Sequence, residues 1–175
     1  MVAPSVEPDE KRHGKEPVTM TEKITPNFTY QEFVKSQTAE RRGINNHPSP
    51  EDLENGIAVL ENVAQPIRDH FGPTIITSGY RSPILNAEIG GSDTSQHQTG
   101  EAVDLEVPGV PTGDVAQWVA DNLVFDQLIL EFYTPGEVNS GWVHVSYKRS
   151  GKNRNEILTA ARVSGRTEYT WGLNY

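Results

Sequence analysis

Between residues 49 and 72 the apolar side chains Leu53, Ile57, Leu60, Val63, Ile67 and Phe71 recur every three or four positions. This spacing lines one face of a helix of period 3.6. Ser49 stands where an N-cap belongs, Pro50 suits the first turn and Gly72 suits the stop, while Pro66 removes a backbone donor inside the run and predicts a kink there. A second amphipathic helix is predicted over residues 112–123, through Val115, Trp118, Val119 and Leu123. Period-two patterns and β-branched runs predict strands at 73–78 (PTIITS), 101–107 (EAVDLEV), 125–133 (FDQLILEFY), 142–148 (WVHVSYK) and 153–163 (NRNEILTAARV), the last ending near Gly165. Residues 79–96 read as a loop holding at most one short helix. Strands joined by short connections, WVHVSYK to EILTAAR among them, predict an antiparallel sheet with helices packed on one side, an α+β fold. There is no internal repeat.

The 175 residues suit one domain, expected over 24–175. Residues 1–23 are rich in Pro, Glu, Asp and Lys with almost nothing to bury, and are expected to form a disordered or extended arm. A formal net charge of −9 and a pI near 5.0, with no cluster of Lys and Arg, exclude nucleic acid as partner. No apolar run reaches the roughly 20 residues that span a bilayer, and the N-terminus lacks the apolar core of a signal peptide. The expectation is a chain made in the cytoplasm without a membrane partner. The absence of cysteine removes thiolate ligands and nucleophiles, so metal chemistry falls to histidine and carboxylate.

One stretch, SQHQTGEAVDL (residues 95–105), offers that chemistry. His97 lies in a polar, glycine-flanked loop and Asp104 on the strand that follows; His144 shares a strand face with Trp142 and Ser146, while Val143 and Val145 take the other. Singly, each has an ordinary role: a solvated loop histidine, an edge carboxylate, a hydrogen-bonded core histidine. Together, two imidazoles and a carboxylate make a three-ligand site with a fourth tetrahedral position open, the pattern of catalytic zinc.

SGYRSP (78–83), Leu85-Asn86, Gly90-Gly91, the block Ser95-x-His97-x-x-Gly100-x-Ala102-x-Asp104 and the strand WVHVS (142–146) occur here in one order. As a set they resemble the zinc D-Ala-D-Ala carboxypeptidase and L-alanyl-D-glutamate endopeptidase family of peptidoglycan peptidases, whose fold is that of the hedgehog signalling domain. The likeness runs from about Phe28 to at least Tyr147, and the opening NFTYQEFVKSQTAERRGINNHPSPEDL is similar to the start of phage and bacterial members. It implies one Zn²⁺ per chain on His97, Asp104 and His144, with Gly100 and Ala102 kept small where the loop enters the strand. It implies that Arg81 holds a substrate carboxylate or the oxyanion, and that Ser95 hydrogen-bonds substrate near the metal.

Many relatives carry Asp or Glu three positions before the last histidine, where this chain has Gly141. Glu131, closing the strand ahead of His144, is the expected general base, with Asp126 and Glu137 as alternatives. The implied activity is hydrolysis of an amide bond in the peptidoglycan stem peptide, in a phage lysis enzyme or virion-associated hydrolase acting on the cell wall after release. The competing expectation is a binding or structural virion module that keeps the fold without turnover, its N-terminal arm docking on virion neighbours.

Overall fold

The helix predicted from the apolar spacing forms in three joined parts: α3 (Pro50–Val59), one π-helical turn (Leu60–Ala64) and α4 (Gln65–Phe71). Ser49 caps it, its Oγ accepting the Asp52 N–H at 3.1 Å, and Gly72, at φ 97°, ends it. Pro66 has no N–H to give the preceding turn. The disturbance expected there takes the form of a widened turn just before it, in which the Gln65 N–H reaches back to the Leu60 carbonyl. Leu60, Val63 and Ile67 stay fully buried through this change of pitch.

This computed structural model describes residues 19–175; the expected arm lies, as far as residue 18, outside them. Of its remainder, the carbonyls of Met20 and Glu22 accept the N–H groups of Gln31 and Tyr30 in α1 (Tyr30–Val34). A second short helix, α2 (Gln37–Arg42), follows, and another, α5 (Pro83–Glu88), lies within the stretch expected to be a loop with at most one short helix. Among the described residues no helix is long and apolar enough to cross a membrane.

Six strands form one sheet: β1 (Ile75–Ser78), β2 (Ala102–Glu106), β3 (Gln127–Glu131), β4 (Trp142–Ser146), β5 (Glu156–Val163) and β6 (Arg166–Trp171), in the order β1-β2-β4-β3-β5-β6. The expected antiparallel arrangement holds for every pair except β3 and β5, which run parallel. The short connection from β4 to β5 therefore does not make a hairpin. Both edges of β4 are already taken, by β2 and β3, so the chain passes over the start of β3 and pairs with its outer edge. The sequence expectation omitted β6, although Thr167, Tyr169 and Trp171 alternate with Arg166, Glu168 and Thr170; its residues are nearly all exposed, so the alternation marks no buried face. Its signal is in the turn instead: Ser164 and Gly165 both have positive φ (49° and 78°), as a two-residue type I′ hairpin requires.

Strand alternation divides the sheet into two unlike faces. Val103, Leu105, Leu128, Leu130, Val143 and Val145, all fully buried, point into a core shared with Val59, Val63 and Ile67 of the long helix and with Val115 and Val119 of α6 (Thr112–Asn122). At about 1.5–3 kcal/mol for each fully buried aliphatic side chain, this face carries much of the folding energy. The opposite face carries Asp104, His144, Ile129 and Glu131.

Candidate metal centre

The site is prepared by an irregularity in β1. Ile76 pairs with Leu105 and Ser78 with Asp104, so the register slips at Thr77. Strict alternation would keep Ile76 and Ser78 on one face; the bulge leaves Ile76 with the core residue Leu105 and brings Ser78 round beside Asp104. The loop that follows is clamped at its back. A side-chain carbon on Gly79 would stand 2.2 Å from the Phe33 carbonyl oxygen, and the Tyr80 N–H donates to that same oxygen at 2.8 Å. Buried Asn46 donates to the carbonyls of Val34 and Tyr80 and accepts the Ser82 N–H at 2.7 Å.

Held this way, Arg81 points its Nε at Ser78 Oγ and its Nη2 at Asp104 Oδ2, both at 2.9 Å. Its backbone N–H also donates to the His97 carbonyl. The arginine expected at the substrate is thus bound first to the carboxylate of the candidate metal ligand, and lines the cleft with what remains of its fork.

His97 sits in a 3-10 turn (Gln96–Thr99) closed by Gly100, at φ 73°. Gly100 needs to be glycine for a further reason: a side-chain carbon there would meet the Asp52 carbonyl oxygen at 2.1 Å, so the loop lies directly on α3. His97 Nδ1 is 2.7 Å from the Gly79 carbonyl oxygen and donates to it, which leaves Nε2 with only a lone pair. That Nε2 stands 3.2 Å from Asp104 Oδ1 and 3.2 Å from His144 Nδ1, and the last two are 2.9 Å apart. All three residues are buried.

Burial holds the His97 imidazole neutral, pulling its pKa below the ordinary value. Burial alone would raise that of Asp104, but the two imidazoles outweigh it and hold the carboxyl well below the usual range. Two of the converging atoms are therefore acceptors with no proton between them, an arrangement that calls for a cation. Donors about 2.0–2.1 Å from a tetrahedral ion stand about 3.3 Å apart, close to the triangle found here. His97, Asp104 and His144 could hold a metal ion.

They stand in the floor of a cleft of about 720 Å³ that Arg81, Ser95, Glu131 and Trp142 also line. Glu131 lies directly across from Trp142, one step along the sheet from the Ile129–His144 pair. Burial, then the charge of Asp104, pushes its pKa up; His144, the Trp142 indole and Arg81 oppose this in part. Trp142 Nε1 is buried without a hydrogen-bond partner in good geometry, and Glu131 is the carboxylate it faces.

The other two acids proposed for the base are elsewhere. Asp126 is fully buried, but its carboxylate is taken up by Arg154, whose Nε and Nη2 lie at 2.9 and 2.7 Å, and by Gln96 at 3.0 Å. Burial would raise its pKa, yet these hydrogen bonds prevail and lower it, making it an anchor for the His97 turn. Glu137 is in an exposed turn away from the cleft, its N–H bonded to Thr134.

The structure also accounts for the glycine at position 141. Gly141 has φ 65°, and a side-chain carbon there would lie 2.2 Å from the Glu131 carbonyl oxygen and 2.6 Å from the Tyr133 nitrogen. The two strand ends are too close for any side chain. Phe132, next to Glu131, is itself at φ 55°, an uncommon conformation for an aromatic residue.

Sequence reasoning missed Ser78, Asn46 and Gly79 as supports of the site. Ser78 and Gly79 belong to the SGYRSP motif, whose hydroxyl and close-packed glycine were a usable signal; Asn46 had none. A family model described as Peptidase M15 matches residues 26–146. No curated protein matches the chain.

Proposed function

Because this chain belongs to the Peptidase M15 family, we propose that it is a zinc-dependent peptidase that hydrolyses an amide bond in the stem peptide of bacterial peptidoglycan. His97, Asp104 and His144 hold the metal in this reading, and the observation that carries it is the convergence of their acceptor atoms, 2.9–3.2 Å apart, in the floor of an open cleft. Zinc bound there would supply Lewis acidity to polarise the scissile carbonyl and to make a water acidic at neutral pH.

The chain's own residues supply the rest. Glu131, its pKa raised by burial, takes the proton of the attacking water and returns it to the leaving amine. Ser78 and Arg81 lock the outer oxygen of Asp104, so that Oδ1 stays turned to the two imidazoles. The part of the Arg81 fork that these bonds leave unused receives a substrate carboxylate or the developing oxyanion. Ser95, on the cleft wall, offers its hydroxyl to the bound peptide. Gly141 leaves its own position without an acid, which taken alone suits a module without turnover; in this reading Glu131 supplies the acid from the neighbouring strand. A phage lysis or virion-associated setting remains part of the proposal through the sequence resemblance.

The test is digestion of purified muropeptides by the zinc-loaded protein. Cleavage that stops with a chelator and returns with zinc supports the proposal, and the masses of the products identify the bond. Tight zinc binding without any cleavage would instead support a binding module.

A further inference from the structure

The two rows of side chains that cross the open face of the sheet extend beyond the segment the family model matches. One row runs Ser78, Asp104, His144, Ile129, Leu158, Trp171, and the next runs Trp142, Glu131, Ala160, Tyr169. Both end on β5 and β6, which lie after residue 146, the last residue matched.

In the second row Tyr169 is two strands from Glu131, about 9.6 Å between backbones at the usual strand spacing. Only the methyl group of Ala160 stands between them, and that residue is 1% exposed. A phenol long enough to lean across a methyl group reaches the cleft, and Tyr169 does line it, together with Leu158. Among the described residues no hydrogen bond uses its hydroxyl, not even with Glu131, whose charge it nonetheless feels. Burial and that charge raise its pKa, so the group is an O–H donor and not a phenolate. Tyr169 as a whole is 58% exposed, open to a ligand in the cleft.

We propose that Tyr169 is a substrate-binding residue: its hydroxyl donates to a backbone carbonyl of the peptide lying over Ile129 and Leu158, on the side of the cleft away from Arg81. The assignment rests on the peptidase reading above. It places the substrate between two donors of different kinds, the guanidinium on one wall and the phenol on the other. It also gives the β5–β6 hairpin a part in selecting the peptide that the matched segment alone does not provide.

Tyr169→Phe removes the hydroxyl and keeps the ring over Ala160, so zinc content and melting temperature should match wild type. Steady-state kinetics on a muropeptide and calorimetric binding of a free stem peptide, both with the zinc-loaded protein, form the test. The expected result is a rise of about 3- to 10-fold in KM and in the peptide Kd with kcat nearly unchanged, as for loss of one neutral hydrogen bond made equally in ground and transition states. If wild type cleaves and binds while Tyr169→Phe differs by less than twofold in both constants, Tyr169 is not at the substrate and the peptidase reading stands. If wild type neither cleaves nor binds the stem peptide, the peptidase reading falls and this assignment with it.

Discussion

Gly141→Ala tests whether the closeness of the β3 and β4 ends builds the site. The substitution adds one methyl group. At φ 65° an L residue is disfavoured by about 1–2 kcal/mol. The new carbon would also lie 2.2 Å from the Glu131 oxygen, 2.6 Å from the Tyr133 nitrogen and 2.7 Å from the Phe132 carbonyl carbon. All three are backbone atoms, so no flexible side chain can yield; forced overpacking of this kind costs about 1–3 kcal/mol more. The sum, about 2–5 kcal/mol, should lower Tm by about 4–20 °C for a domain of this size.

Gly136 supplies the control, because it shares the positive φ (89°) but has nothing within 4 Å of the added carbon. Gly136→Ala should show the conformational cost alone. Turnover should separate the two variants further, since the strand end that must move carries Glu131, and a shift of about 1 Å in a reacting group can cost about 10²-fold. Thermal melts and muropeptide kinetics on both proteins are the assay. Equal Tm values, with turnover intact in Gly141→Ala, would refute the idea that this contact sets the place of the acid.

Glu131→Gln should retain zinc and fold while kcat falls by about 10²- to 10⁴-fold, which metal analysis and muropeptide kinetics check together. The same variant has a stability signature in the metal-free protein: a carboxyl whose folded pKa is raised favours the fold while protonated and loses that contribution as pH rises through the folded value, so Glu131→Gln should melt above wild type at pH 7 and lose this advantage below the ordinary glutamate range. Arg81→Lys cannot serve Ser78 Oγ and Asp104 Oδ2 from one planar fork; zinc affinity measured by competition should fall by about 10- to 100-fold, and turnover with it. Asp126→Ala should cost about 1–3 kcal/mol in a denaturant melt, because Arg154 and Gln96 lose their acceptor, and should weaken zinc binding through the freed His97 turn.

The elements whose side chains repeat with a clear period were legible in the sequence: the long helix, α6 and the core strands. The three metal-ligand candidates were legible through the set of motifs that carries the family resemblance, since His97, Asp104 and His144 taken singly each had an ordinary reading. What escaped was set by pairing and not by pattern. Nothing in EILTAAR says that β4 has no free edge, so the parallel pairing with β3 could not be foreseen. β6 has one face on solvent and the other on the cleft, so the short alternation of Thr167, Tyr169 and Trp171 was passed over, and Tyr169 with it. The role of Arg81 was only half legible: its nearness to the metal followed from the motif, while its bond to Asp104 depends on a register slip that only the paired strands reveal.

That slip at Thr77 makes the site depend on how β1 is laid against β2. Between the β1 residue that faces the core and the arginine that faces the cleft, the chain holds one residue beyond what alternation needs. Many side chains could fill position 77, which only has to occupy the bulge. Drawing the bulge out into regular pairing would set Thr77 opposite Asp104 and turn Ser78 toward the hydrophobic side, carrying the arginine away from Asp104 although every motif letter remained in the text. The bulge is thus a property of how two strands are paired, which no letter of the motif spells, and a comparison of sequences by letters alone would miss it.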